Sequence, residues 1–507
     1  MKLQVNIKNT FIEITSLLYI LLFVYAAVSK LIDFENFKTE LAQSPLLSAF
    51  AGWISWAVLF FEVATALLIS FTKTRLTGLY FGFCLMTMFS AYIFIILNYS
   101  SFIPCSCGGI LEKMSWNQHL VFNLIFVLIG AIALFKKGTY NKNSYIPSRI
   151  FTSPLKLLMT FLLCISLMVI LFISSEEIIQ HQNPFIRRYP HHPITLDSIV
   201  DLKFNSYYFA GAGNQSLYLG NSTTPLKLLS IDNNLNQKRI SIKVDPADFK
   251  FKSIKTAVRP PYFYIVDSWS PAFFTGSIDN WKAELKKPRP PYFNIAVPMD
   301  SSSFVFRGIS SSTSNNVLGI FRIFPQSKII MAPDLLEKQI DGVFDTDGML
   351  HYSSKTQNIV YIYTYRNQYI VADKNGQLIY RGNTIDTISK AAVKVVNMKN
   401  NTERAMSAPT LNVNKTSSVF GSLLFVNSNI PGRYEQKQVW KQASVIDIYD
   451  LRKKSYLFSF HIYGINGRKL RDFMVTQDFV FVLLGSELAV YKINKKLSDA
   501  IRKTEDK

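Results

Sequence analysis

Five long apolar runs lie in the first third of this 507-residue chain, and they constrain its fold more than any other feature. Each run is close to the roughly 20 apolar residues that a helix needs to cross a membrane. The first run is not interpreted as a cleaved signal peptide, because further apolar runs follow it at once. We therefore predict five membrane spans, at residues 11–30, 48–71, 77–97, 119–135 and 155–174.

The lysine and arginine residues between the spans predict their orientation, because basic residues in short loops stay on the cytoplasmic side. Nine of them, among them Lys2, Lys73 and Lys156, lie on one side of the five spans, and three lie on the other. We therefore expect the N-terminus in the cytoplasm and the chain after Ser174 outside it.

The four cysteines of the chain all precede residue 175. Cys84 and Cys164 fall inside predicted spans, where a free cysteine usually packs as a small apolar side chain. Cys105 and Cys107, in "PCSCGG", fall in an outward-facing loop and thus in an oxidising compartment. The large outer part has no cysteine, which excludes a disulfide-stapled secreted domain. We expect a bacterial inner-membrane (cytoplasmic-membrane) protein with a periplasmic C-terminal domain.

Three roles are open for Cys105 and Cys107. A disulfide across one intervening residue closes a small, strained ring, and strain favours exchange with the thiols of another protein. The bond could instead be purely structural. Metal binding is the third alternative, although a tetrahedral site needs more ligands and only His119 is at hand.

Polar side chains inside the spans are further candidates, because ionisable groups in a membrane are costly. Glu62 lies near the middle of the second span, and Lys30, at the outer end of the first, is its nearest candidate partner. Lys30 could also simply extend to the membrane surface. His119 and Asn123 share one helical face at the start of the fourth span, close to the cysteine loop. His119 could titrate or cap the interface, and Asn123 could hydrogen-bond across the bundle.

The first four spans resemble the methylamine utilisation MauE family of DoxX-like membrane proteins. The residues that carry the resemblance are "VSKLIDFENF", "FFEVATALL" and "CSCGG", within residues 10–137. It implies an integral membrane accessory that works beside a thioredoxin-like partner in transferring redox equivalents across the membrane. In this family Cys105 and Cys107 would be the exchanging pair.

The same resemblance implies that Lys30, Glu62 and Asn123 occupy the polar positions of the family. The chain departs from the more typical Cys-Gly-Cys motif, since Ser106 stands between the cysteines and Gly109 replaces an aromatic residue. Methylamine as a substrate is not carried over, because nothing in the sequence encodes an amine site.

From about residue 196 short strands alternate with polar turns. Strong strand cores begin at residues 216, 262, 304, 359, 422 and 479, a blade-sized spacing that predicts a β-propeller of about six blades. Two stacked β-sandwiches are the alternative. The repeat "RPPYF", at 259–263 and 289–293, predicts equivalent strand starts.

The predicted domain order follows from these features. It is a MauE/DoxX-like four-helix domain at 1–140, a cytoplasmic loop and fifth span at 141–175, a proline-containing linker at 176–195, a periplasmic propeller at 196–495 and a charged tail at 496–507.

The outer part carries no recognisable hydrolase or transferase motif, and no nucleic acid partner is expected. It contains 43 Lys and Arg residues against 28 Asp and Glu residues, so it could dock an envelope protein or an acidic ligand. The sequence therefore favours a membrane accessory in thiol–disulfide electron transfer, with the propeller as a docking module. The alternative is a non-enzymatic, membrane-anchored sensor or scaffold whose cysteine pair is structural. The sequence indicates no particular cofactor.

Overall fold

A computed structural model of the chain divides it into two compact units. The first comprises Met1–His191 with Arg433–Glu435, and the second His192–Gly432 with Gln436–Lys507. The structure describes residues 2–44, 46–99, 114–138, 153–181, 185–213, 215–286, 290–324, 326–398, 403–406 and 410–503. The predicted cysteine pair, Cys105 and Cys107, lies outside these residues.

The first unit is helical. Its helices are α1 (Lys2–Ile32), α2 (Phe34–Gln43), α3 (Ala51–Ser70), α4 (Arg75–Tyr99), α5 (Trp116–Gly138) and α6 (Pro154–His181), with a 3-10 turn at Ser48–Phe50. All of these except α2 and the 3-10 turn are long and apolar enough to cross a membrane. The prediction of five span-length helices is confirmed.

Helix α2 was not predicted, because it is short and only one of its faces is apolar. Phe34, Phe37 and Leu41 recur at helical spacing, and Phe37 and Leu41 are buried. The ring of Phe34 packs against Trp56 of α3 with 4.4 Å between ring centroids. Helix α2 is therefore held to the bundle by packing rather than by crossing a membrane.

The helices of the bundle pack closely around Tyr19 of α1, where two glycines face its ring. The Tyr19 hydroxyl donates a hydrogen bond to the carbonyl oxygen of Phe126 at 2.6 Å. A Cβ atom at Gly82 of α4 or Gly130 of α5 would collide with the Tyr19 ring. Glycine is needed at both positions because a large side chain from a third helix fills the space there.

The second unit is all-β, and its described strands form six blades and a separate hairpin. Blade 1 contains β2 (Tyr207–Gly213), β3 (Ser216–Asn221), β4 (Lys227–Asp232) and β5 (Gln237–Ser241). Blade 2 contains β7 (Ile254–Arg259), β8 (Tyr262–Asp267), β9 (Ala272–Ser277) and β10 (Lys282–Leu285), with β6 (Lys243–Asp245) parallel to β10. Blade 3 contains β11 (Ile295–Asp300), β12 (Ser303–Ile309), β13 (Asn316–Arg322) and β14 (Lys328–Ala332).

Blade 4 contains β15 (Gly348–Ser353), β16 (Asn358–Tyr363), β17 (Gln368–Asp373) and β18 (Leu378–Asn383). Blade 5 contains β21 (Asn414–Phe420), β22 (Leu423–Ser428), β23 (Ala443–Asp450) and β24 (Ser455–Tyr463). Blade 6 contains β25 (Asp472–Val475), β26 (Phe479–Leu484), β27 (Glu487–Ile493) and β1 (Ile194–Asp201). The hairpin is β19 (Val395–Met398) and β20 (Glu403–Met406), and two short helices are α7 (Lys437–Gln442) and α8 (Lys495–Lys503). The predicted six-bladed propeller is confirmed.

Blade 6 closes the ring by joining the first strand of the unit to its last three. Strand β1 pairs antiparallel with β27, and Val200 lies opposite Leu488. Both side chains are buried in one apolar cluster with Leu219 of blade 1. Closure therefore rests on hydrogen bonds within blade 6 and on apolar packing against the neighbouring blade.

All six predicted strand cores fall on the second strand of a blade, namely β3, β8, β12, β16, β22 and β26. These strands have neighbours on both edges and both faces, so nearly all their side chains are buried. The prediction from "RPPYF" is wrong. Residues 259–263 turn from β7 into β8, whereas residues 290–293 precede β11, the first strand of blade 3.

Two segments predicted as a linker and as a tail are partly helical. Helix α6 continues to His181, into the segment predicted as a linker. Residues 495–503, predicted largely as a charged tail, form α8, whose Leu497 and Ile501 are buried against blades 5 and 6.

Candidate functional site

A charged pair lies inside the helical bundle. Lys30 of α1 and Glu62 of α3 form an ion pair, with 2.6 Å between Nζ and Oε1. The Glu62 side chain is fully buried, and the Lys30 ammonium also lies 5.7 Å from the ring centroid of Phe37 and 6.0 Å from that of Phe89. Lys30 therefore turns into the bundle, and the alternative in which it only reaches for the membrane surface does not describe this structure.

Only one oxygen of the Glu62 carboxylate is satisfied. Oε2 is buried and has no hydrogen-bond partner among the described residues. A buried carboxylate oxygen without a partner is costly, because nothing replaces the water that it loses. The site can therefore accept a proton or a further hydrogen-bond donor at Oε2.

The first turns of α5 bring His119 and Asn123 to the same bundle. His119 lies close enough to Lys30 for their charges to interact, and it stacks on Trp116 with 6.2 Å between ring centroids. Its Nδ1 atom is buried without a partner in the described part of the chain. Asn123 is buried one turn further along α5. The structure thus brings Lys30 together with both Glu62 and His119.

The beginning of α5 is fixed by reciprocal capping. The Ser115 backbone N–H donates to Oε1 of Gln118 at 2.9 Å, and the Gln118 backbone N–H donates to Oγ of Ser115 at 3.4 Å. The segment with Cys105 and Cys107 joins Tyr99, the last residue of α4, to this capped end. The capped end holds His119 in place near Lys30.

A second pair of cysteines escaped the sequence interpretation. Cys84 of α4 and Cys164 of α6 are free cysteines whose thiols lie close enough to interact. One turn earlier on the same two helices, the hydroxyls of Tyr80 and Thr160 are 2.5 Å apart. The two cysteines lie at nearly equal depth in their helices, nine and ten residues from the first residue. The third and fifth spans cross the membrane in the same direction, so cysteines at equal depth in them can meet. This spacing could have indicated the pair from the sequence.

The β unit contains a large central cavity of about 2020 Å³. Side chains from the first strand of every blade line it, including Lys255, Arg259, His351 and Asp472. None of these four was singled out from the sequence. Their strands are less apolar than the second strands, and the residues meet only once the ring is closed.

These features define a multi-pass membrane protein that carries a six-bladed β-propeller. Residues 8–136, in the N-terminal part of the chain, match the family model described as methylamine utilisation protein MauE. No curated protein matches the chain.

Two of the solved structures that are similar to part of this chain have low sequence identity and low TM-scores. One is a member of the duf4221 family from Bacteroides vulgatus, with 12% identity and a TM-score of 0.40, covering 59% of this chain and 97% of its own. Another is BamB from Moraxella catarrhalis, with 10% identity and a TM-score of 0.32, covering 59% of this chain and 99% of its own. Neither similarity assigns a role to the propeller.

Proposed function

We propose that this protein is a MauE-type membrane accessory that takes part in thiol–disulfide electron transfer with a thioredoxin-like partner, and that its propeller is a docking module. The observation that carries the proposal is the Lys30–Glu62 ion pair beside His119. Charged groups inside a membrane bundle are costly and are retained where they act. The family match over residues 8–136 supports the same function.

The proposed exchange uses Cys105 and Cys107. The Cys105 thiolate attacks the disulfide of the partner, which forms a mixed disulfide and releases one partner thiolate. The Cys107 thiolate then attacks Cys105, so a Cys105–Cys107 disulfide forms and the partner leaves as a dithiol. The reverse sequence returns the electrons. Positive potential from the N-terminus of α5, which follows the cysteines in the chain, favours the thiolate form.

Replacing Cys107 tests the exchange directly. In Cys107→Ser the mixed disulfide at Cys105 cannot be resolved, so a covalent adduct should accumulate in the native envelope. Non-reducing electrophoresis should show the adduct, and reductant should dissolve it. The control Cys84→Ser keeps both loop cysteines and should give no adduct. Consistent absence of an adduct with the partner present, together with lower stability of Cys107→Ser, would favour the sensor or scaffold whose cysteine pair is structural.

The proposal places the protein in the inner membrane of a bacterium, with its N-terminus in the cytoplasm and its propeller in the periplasm. The distribution of basic residues supports this orientation. A reporter that is active only outside the cytoplasm should be active when fused after Glu177 and silent when fused after Lys137. The reverse pattern would overturn the orientation.

A further inference from the structure

The central cavity of the propeller is lined by an arginine, Arg259, whose charge no ion pair balances within the described ranges. Arg259 is the last residue of β7 in blade 2. Its Nη2 donates a hydrogen bond to the carbonyl oxygen of Tyr352 in blade 4 at 2.7 Å, so the side chain reaches past blade 3. Its guanidinium lies over the Tyr352 ring, 5.3 Å from the centroid.

The hydrogen bonds of Arg259 are incomplete. Nη1 is buried and has no partner among the described residues, whereas the side chain as a whole is partly exposed and lines the cavity. Within the described part of the chain Arg259 forms no ion pair. An arginine held away from bulk water without a counter-charge is costly, and a ligand oxyanion would supply both the charge and the missing acceptor.

Two titratable neighbours of Arg259, His351 and Asp300, form no ion pair with it in the part of the chain that the structure describes. His351 lies next to it on β15, with Nε2 2.8 Å from Oγ of Ser417. Burial, together with the Arg259 charge, lowers the pKa of His351 to about 4, so the imidazole is neutral at pH 7. Asp300 also lines the cavity, but its oxygens accept hydrogen bonds from the Ser302 backbone at 2.8 Å and the Ser303 hydroxyl at 2.6 Å.

A second cation lines the same cavity from the same strand. Lys255 lies four residues before Arg259 on β7, so both side chains leave the strand on one face. Its ammonium lies 5.6 Å from the ring centroid of Tyr208 and interacts with Asp472 of β25. The Asp472 carboxylate accepts a hydrogen bond from Oγ1 of Thr416 at 2.8 Å. Lys255 thus interacts with a carboxylate, whereas Arg259 forms no ion pair with any residue that the structure describes.

We propose that the central cavity binds a small organic anion whose carboxylate or phosphate group is held by Arg259. The guanidinium presents a planar fork of donors that fits either oxyanion, and the Tyr352 ring fixes its plane. Lys255 adds positive potential to the cavity but leaves the Arg259 guanidinium accessible to a ligand. The aromatic side chains of the cavity wall, Tyr208 and Tyr352, suit an organic body better than a bare ion.

The test uses the full-length protein in detergent, with inorganic phosphate and succinate as separate probes at constant ionic strength. Each probe that binds should raise the melting temperature in a saturable way, as mass action requires. A response to phosphate alone, to succinate alone or to both supports the proposal and identifies the oxyanion. The absence of a saturable response to either probe would overturn it.

Substitutions locate the effect. Arg259→Gln should weaken the response at least tenfold, and Arg259→Lys should keep part of it, because a point charge replaces the fork. If Arg259→Gln does not fold, weaker binding of the probe by Arg259→Lys than by the unmodified protein supports the proposal. Arg239→Gln, on the exposed outer strand of blade 1, is the matched control and should bind as the unmodified protein does. Equal binding by the Arg259 variants and this control would contradict the proposal. Cys107→Ser should leave binding unchanged, so this inference does not depend on the thiol chemistry.

Discussion

At the scale of single residues, the Lys30–Glu62 pair joins helices that are far apart in the sequence. The ammonium has a carboxylate and two aromatic rings as neighbours, whereas the carboxylate has one satisfied and one unsatisfied oxygen. Each charge is tolerated in the bundle only because the other is present. Removing one of them is therefore expected to be worse than removing both.

This expectation can be measured with three variants. Lys30→Met and Glu62→Gln should each destabilise the helical unit by about 1–3 kcal/mol, because each leaves one uncompensated polar group. The double variant should cost less than either single variant, because it leaves no uncompensated charge. Unfolding of the purified protein in detergent gives the three values, and strict additivity would show that the two charges are not coupled.

His351 predicts a pH dependence for the propeller. Its folded pKa of about 4 lies below the ordinary value of 6.5. Between these values the unfolded chain binds a proton at this histidine that the folded chain does not. The contribution of His351 to the free energy of unfolding is therefore complete above pH 6.5 and is lost as the pH drops towards 4. The loss should be on the order of 2 kcal/mol, since the imidazole keeps some exposure to the cavity. His351→Gln should make the melting temperature depend less on pH between pH 6.5 and 4. Above pH 7 the pH dependence should be unchanged. An unaltered slope below pH 6.5 would refute this.

At the scale of elements, α4 and α6 lie side by side with two matched contacts, Tyr80 with Thr160 and Cys84 with Cys164. Copper phenanthroline, a lipid-soluble oxidant, should therefore take two electrons and two protons from these thiols and leave a disulfide. Mass spectrometry of a non-reducing digest should find one linked peptide that contains both cysteines. Cys84→Ser should give none, and failure to link in the unmodified protein would mean that the two thiols do not face each other.

Elements that are marked by a continuous apolar run could be predicted from the sequence. The five apolar spans and the six second strands of the blades are such elements, because their burial makes them continuously apolar. Helix α2 has only Phe34, Phe37 and Leu41 as an apolar stripe, which is too narrow for a search based on mean hydropathy. The cavity residues Arg259 and His351 belong to different blades, so only the closed ring brings them together. Lys30 and Glu62 could be identified from the sequence, because a charged residue inside a membrane span is rare.

At the scale of the whole molecule, closure of the propeller depends on strand β1. Val200 is buried and faces the apolar cluster between blades 6 and 1, whereas its neighbour Ile199 is 46% exposed. Val200→Asp should destabilise the propeller by several kcal/mol, because it buries a carboxylate without a partner. Ile199→Asp on the opposite face should change stability by less than about 0.5 kcal/mol. Limited proteolysis and thermal unfolding measure both, and similar behaviour of the two variants would mean that β1 does not close the ring.

The pairing of β1 with β27 also determines when the ring can form during protein synthesis. The ribosome makes β1 directly after the last membrane helix, but its partner strand emerges only after the other five blades have been made. Until then the nascent chain presents β1 without the β27 edge that will cover it, and unpaired strand edges invite aggregation. Closure also joins residues almost 300 positions apart, a contact of the kind that slows folding. A nascent chain of this protein is therefore expected to need chaperone protection until synthesis has passed residue 493.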